Sequence, residues 1–128
     1  MGLEGTWHNE LGSVMRIGPV TDGAFDLVYE TAVSAQNCAK GEFAGSGRLD
    51  DAPSGQTVAF VVAWQNERAN CASVSAWSGE LQTVDGEERI VAMWLLTGST
   101  RRTPGPAPTS ARTSLPGHMR RRTSWRRT

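Results

Sequence analysis

The chain has 128 residues, 38% of them hydrophobic, and 13 Lys+Arg against 13 Asp+Glu give no formal net charge. That balance is a split: residues 1–100 hold all 13 acids and five basic groups (Arg16, Lys40, Arg48, Arg68, Arg89), whereas 101–128 hold eight Arg and no acid. Net charge therefore identifies no partner, the length admits one domain with a real core, and no run of about 18 apolar residues exists to cross a membrane as a helix.

In chain order, Met1-Gly2-Leu3-Glu4-Gly5 has neither the charged nor the apolar region of a signal peptide, and reads as the cut end of a mature protein behind an added Met1. Seven β-strands are predicted after it, near 5–9, 13–18, 24–31, 42–50, 57–66, 72–83 and 88–97, rich in β-branched and aromatic residues. Thr21-Asp22-Gly23 and Asp85-Gly86 read as hairpin turns, because Gly readily takes the positive φ that tight turns need; residues 50–55 read as a longer loop. No amphipathic helix stands out. Evenly spaced strands predict an antiparallel sandwich or barrel, and closing an up-and-down barrel needs an eighth strand whose only source is the tail.

Residues 1–100 thus form one unit and 101–128 another. Arg, Thr, Pro and Ser make up 20 of the tail's 28 residues, and the prolines of 103–108 bar that stretch from a central strand because proline lacks the ladder N–H. The tail reads as a solvated disordered segment or an atypical eighth strand. A nucleic-acid arm is disfavoured: Trp125 is its one aromatic residue, and no recognition motif accompanies the arginines.

Side chains alternate between the faces of a strand, so each face can be read separately. Val58, Phe60, Val62 and Trp64 share one face, as do Ile90, Ala92, Trp94 and Leu96, and Phe25, Leu27, Tyr29 and Thr31. Trp77 and Leu81 share theirs with Ser73, Ser75 and Gly79; Trp7, Asn9, Leu11, Ser13, Met15 and Ile17 have one parity, unless the turn at Leu11-Gly12 breaks the register. The inward face therefore mixes aromatic rings with Asn9, Ser13, Thr31, Ser73, Ser75 and the Tyr29 hydroxyl. Each such group costs about 1–3 kcal/mol if buried unpaired. Either they bond one another or water at a barrel mouth, or they line a cavity for one polar, ring-containing ligand. On the outward face, Ala59, Val61, Ala63, Val74, Ala76, Val91, Met93 and Leu95 are also apolar; with no helix to cover them, a second copy of the barrel is the expected cover.

Four ordered blocks carry a resemblance: Gly5-Thr6-Trp7-His8-Asn9-Glu10-Leu11-Gly12-Ser13, Tyr29-Glu30-Thr31-Ala32-Val33, Trp64-Gln65-Asn66 with residues 70–79, and Trp94-Leu95-Leu96-Thr97. Together they resemble the avidin/streptavidin family of biotin-binding proteins, which implies an all-β, eight-stranded antiparallel up-and-down barrel binding biotin with high affinity and without catalysis. By position, the resemblance implies that Asn9, Ser13 and Tyr29 donate to the ureido oxygen and Thr31 accepts a ureido N–H. Ser75 would approach the thioether sulfur, while Ser73 and the loop around Ser34 and Ala35 would hold the carboxylate. Trp64, Trp77 and Trp94, with Leu11 and Leu96, would form apolar walls, and Trp7 reads as a structural plug. Cys38 and Cys71 could both be free thiols; similarity to the dimeric, rhizavidin-like members implies instead a disulfide between them, a secreted or periplasmic location, and a dimer. No cofactor is implied beyond biotin as ligand. Neither His8, His118 nor Cys38 lies in a catalytic or metal-binding context.

The pattern departs from the family in two places. Tetrameric members cover the ligand with a neighbour's Trp, expected near Pro106, and no Trp stands there, which favours a dimer over a tetramer. The family's last strand also carries an Asp that accepts a ureido N–H, where this chain has Met119, within Leu115-Pro116-Gly117-His118-Met119. Losing that acceptor would weaken binding by about 1.5–3 kcal/mol, so an avidin-like barrel with reduced biotin affinity or another small ligand is the alternative function. The arginines after it make a poor closing strand, since one would have to point inward. A shifted reading frame of a GC-rich gene after about Gly98 would account for the missing Asp and the tail's composition together; the gene's other frames test it, and the idea fails if neither encodes a strand with Gly-(His/Gln)-Asp.

Overall fold

The computed structural model describes residues 2–31, 41–99 and 118–128. Eight strands follow one another: β1 (Gly5–Asn9), β2 (Val14–Ile17), β3 (Ala24–Glu30), β4 (Glu42–Ala52), β5 (Gly55–Gln65), β6 (Asn70–Val84), β7 (Glu87–Gly98) and β8 (His118–Arg127). Each pairs antiparallel with its chain neighbour, and β8 returns to β1, closing an up-and-down barrel. Closure pairs every edge, so no strand is left as a template for other chains.

Local chemistry sets the hairpins. Asp22 and Gly23 take φ of 52° and 81°, and Asp85 and Gly86 take 53° and 77°. Paired positive φ values belong to turns whose twist matches that of the flanking strands. Gly79 is required for another reason: a Cβ there would lie 2.1 Å from the Val91 carbonyl oxygen, so β6 and β7 approach as closely as they do because this position has no side chain.

The interior follows the alternation. Met15, Ile17, Phe25, Leu27, Tyr29, Phe43, Val58, Phe60, Val62, Trp64, Trp77, Ile90 and Ala92 are buried, joined by the polar Asn9, Ser13 and Ser75. Burying each large apolar side chain is worth roughly 1.5–3 kcal/mol. Outward residues Val61, Val74, Met93 and Leu95 are exposed, as their parity predicts.

The expected difficulty with a closing strand is corrected by the structure. Thr123 and Trp125 point into the middle of the barrel and are buried, while Arg122 and Arg126, on either side of them, face out. The inward-parity arginines fall toward the two ends: Arg121 is exposed opposite Trp94, and Arg127 lies over the Trp7 ring, 4.3 Å from its centroid. A long side chain near a barrel end can bury its stem and keep its charge at a polar rim. Arg127 does so by donating to the Glu4 carbonyl at 2.8 Å and pairing with Glu88 at 3.1 Å. With Trp7, whose Nε1 donates to the Leu3 carbonyl at 2.9 Å, it seals the end holding both termini.

Candidate ligand site in the barrel

The other end of the barrel gathers the β1–β2, β3–β4, β5–β6 and β7–β8 connections, and there the polar interior residues collect. Asn9 is the last residue of β1. Its Oδ1 accepts from the backbone N–H of Leu11 and of Ser13, both at 3.0 Å, which fixes the β1–β2 turn and points the amide NH2 away from the backbone. Ser13 directly precedes β2 and Tyr29 lies on the adjoining β3, and both the Ser13 and the Asn9 side chains hydrogen-bond the Tyr29 hydroxyl. Burial pushes the Tyr29 pKa up to about 12; the Glu10 charge adds to the rise, and the Ser13 and Asn9 bonds oppose it. The phenol is therefore a neutral O–H donor at any ordinary pH. Asn9, Ser13 and Tyr29 thus bring to one place three groups that here bond one another, each able to donate instead to a single carbonyl oxygen placed among them.

Aromatic rings surround this cluster. Tyr29 meets Trp64 and Trp125 edge-on at 5.2 Å and 5.5 Å, and Trp77 at a tilt at 5.3 Å, between ring centroids. Trp77 stacks on Phe60 at 4.8 Å and continues to Trp94 at 6.4 Å. The Trp64 indole N–H donates to the Ser75 hydroxyl at 2.9 Å, so the Ser75 hydrogen is left to serve another acceptor, such as a thioether sulfur.

Most of the residues singled out in the sequence come together here: Asn9, Ser13, Tyr29, Trp64, Ser75 and Trp77 are buried, and Thr31, Ser73, Trp94 and Leu96 are half-buried at the same end. Leu11 does not join them; it sits on the β1–β2 turn with 58% of its surface exposed, because the turn breaks the alternation there. Ser34, Ala35 and Cys38 lie outside the described residues. Met119 pairs with Leu96 in the β7–β8 ladder, on the same parity as Thr123.

Phe43, Glu10, Thr123 and Trp125 were missed as neighbours of the site. Phe43 packs edge-on to Trp64 at 5.0 Å. Trp125 is wholly buried, and its Nε1 has no hydrogen-bond partner among the described residues. The alternation Arg122-Thr123-Ser124-Trp125-Arg126 was the available signal for this stretch, masked by the arginine content around it. An open surface groove lies elsewhere, on the outer face of β4–β7 among Arg48, Ala59, Val61, Ala76, Met93 and Leu95, away from the donor cluster.

A closed eight-stranded barrel with polar donors converging inside an aromatic cage defines a small-ligand-binding barrel. A model of the Avidin family matches residues 1–109, and the chain belongs to that family, one of non-enzymatic binders of biotin. Among solved structures the chain is similar to Xenavidin, with a TM-score of 0.82 and 27% identity over 99% of this chain and 98% of that one.

Proposed function

We propose that the chain binds biotin, without catalysis, at the end of the barrel where Asn9, Ser13 and Tyr29 converge. That convergence carries the reading, because three neutral donors around one point suit a ureido oxygen. In this reading Thr31 accepts one ureido N–H, Ser75 approaches the sulfur, and Ser73 with Ser34 and Ala35 holds the carboxylate. Trp64, Trp77, Trp94 and Leu96 then flank the rings and chain of the ligand, while the exposure of Leu11 argues against a wall role for it. Calorimetry of the full chain with biotin tests the proposal, and no binding tighter than micromolar would refute it. The second reading, weakened biotin affinity or another small ligand, is favoured by Met119 standing opposite Leu96, where a carboxylate acceptor was expected.

Three finer features belong to the same proposal. The described residues contain no free cysteine, which supports a Cys38–Cys71 disulfide tying the β3–β4 loop to the start of β6. A disulfide implies an oxidising, secreted or periplasmic setting, in keeping with a family whose members are generally secreted. The exposed Val61, Val74, Met93 and Leu95 support a homodimer burying the β5–β7 face; light scattering that gives a monomer mass would refute this. Residues 1–100 carry nearly all the site, and within 101–128 the stretch His118–Arg127 closes the barrel.

A further inference from the structure

The β5–β6 ladder breaks its register beside the mouth of the barrel. Ala63 pairs with Val74 and Gln65 with Asn70, so Trp64 alone on β5 spans three residues of β6, Cys71, Ala72 and Ser73, two more than a regular ladder allows. Because side chains alternate with a period of two, a bulge of this size leaves β6 in phase and adds an inward position at the rim. Cys71 and Ser73 are both half-buried there, next to the buried Ser75, and Ala72 between them faces out. The backbone accommodates the insertion at Ala72, whose φ of 53° is a left-handed conformation that costs free energy for a residue with a Cβ.

Asn70 holds that conformation. Its Oδ1 accepts the Ala72 N–H at 2.8 Å, and its Nδ2 donates to Gln65 Oε1 at 3.2 Å across the hairpin. The Ala72 carbonyl accepts the Ser99 N–H at 2.8 Å, so the peptide groups on both sides of the strained residue are tied. The hairpin turn has no slack to absorb the extra residues, since Asn66 Oδ1 accepts the N–H groups of Arg68 and Ala69 at 2.9 and 3.1 Å.

We propose that Asn70 is a positioning residue of the binding site: by clamping the bulge at Ala72 it sets where Ser73 stands, and through Ser73 how the site grips the ligand's carboxylate. Without the clamp, Ala72 relaxes toward the extended conformation its Cβ prefers and carries Ser73 out of place. The effect is confined to the carboxylate end of the ligand. β6 is back in register with β5 at Val74, before Ser75 and Trp77 are reached.

This inference rests on the biotin reading, and its test separates the two. The full chain and its Asn70→Ala, Ser73→Ala and doubly substituted variants are titrated calorimetrically with biotin and with biotinol, in which a CH2OH group replaces the carboxylate. If the unaltered chain binds neither, the biotin reading falls and takes this inference with it. If it binds biotin, Ser73→Ala is expected to weaken biotin about tenfold and Asn70→Ala about fivefold, with little further loss when the two are combined. Biotinol should bind the unaltered chain and Asn70→Ala within about twofold of each other. Ala72→Val, whose branched Cβ resists the left-handed conformation, should reproduce the Asn70→Ala pattern. Adding Ala72→Gly to Asn70→Ala should recover most of the loss, because glycine takes positive φ without a clamp. Unchanged biotin affinity in Asn70→Ala overturns the inference. So does an equal loss for biotin and biotinol, or fully additive losses for Asn70→Ala and Ser73→Ala, either of which marks a merely structural role.

Discussion

Titrating Tyr29 offers a direct measurement inside the barrel, because it is the chain's single tyrosine and every change in phenolate absorbance belongs to it. Its pKa stands at about 12 against an ordinary 10.0, chiefly because burial disfavours the phenolate. A shift of two units corresponds to about 2.7 kcal/mol of differential stability, and at 5% exposure the ring is too deep for solvent screening to reduce this greatly. Because the folded pKa lies above the unfolded one, this stability is fully present below pH 10 and is lost as the pH rises from about 10 through 12. The assay is a titration followed near 295 nm, with urea unfolding at each pH for the unaltered chain and Tyr29→Phe. The unaltered chain should lose stability faster than the variant across that interval, by about 2–3 kcal/mol in total. Biotin affinity of the folded chain should be level through pH 10 and fall as the pH approaches and passes about 12, where the donor hydrogen is removed. A folded-state midpoint close to that of free tyrosine, or parallel stability curves for the two chains, would refute the burial argument and the donor role built on it.

The donor cluster predicts that Ser13→Ala combined with Tyr29→Phe weakens biotin by about 100-fold or more by calorimetry, at roughly 1–3 kcal/mol for each lost donor. Gly79→Ala is expected to lower stability by more than about 2 kcal/mol, or to prevent folding, since the new Cβ would press on the Val91 carbonyl and on Ala92; an unchanged urea midpoint contradicts the close packing of β6 and β7. Arg127→Ala should cost about 1–3 kcal/mol, through loss of the Trp7 stacking, the bonds to the Gly2 and Glu4 carbonyls and the discounted, partly exposed pair with Glu88. Arg127→Lys should not restore it, because one ammonium cannot replace the planar fork. If Cys38 and Cys71 are joined, the oxidised chain is lighter than the reduced one by two hydrogens, and Cys71→Ser lowers stability by roughly 3–4 kcal/mol; equal masses before and after reduction would exclude the bridge.

Alternation and turn chemistry were enough to place seven strands and their inward faces. A period of two is imposed by the backbone itself, and Asp-Gly pairs accept φ values that few other residues tolerate. The inward parity of Asn9, Ser13, Tyr29, Trp64, Ser75 and Trp77 was readable for the same reason. Proximity was not. Whether Asn9 donates or accepts depended on the turn taking up its Oδ1, and Leu11 left the wall because a turn has no alternation to obey. The eighth strand and the Glu10–Thr123 pair, residues 113 positions apart in the chain, are set by barrel closure. Closing the ring brings the chain's two ends side by side, and no local pattern encodes that neighbour. The charge split of the sequence thereby acquires a structural meaning: Arg127 meets Glu88 and the N-terminal carbonyls, and Thr123 meets Glu10, where the basic segment completes the acidic barrel.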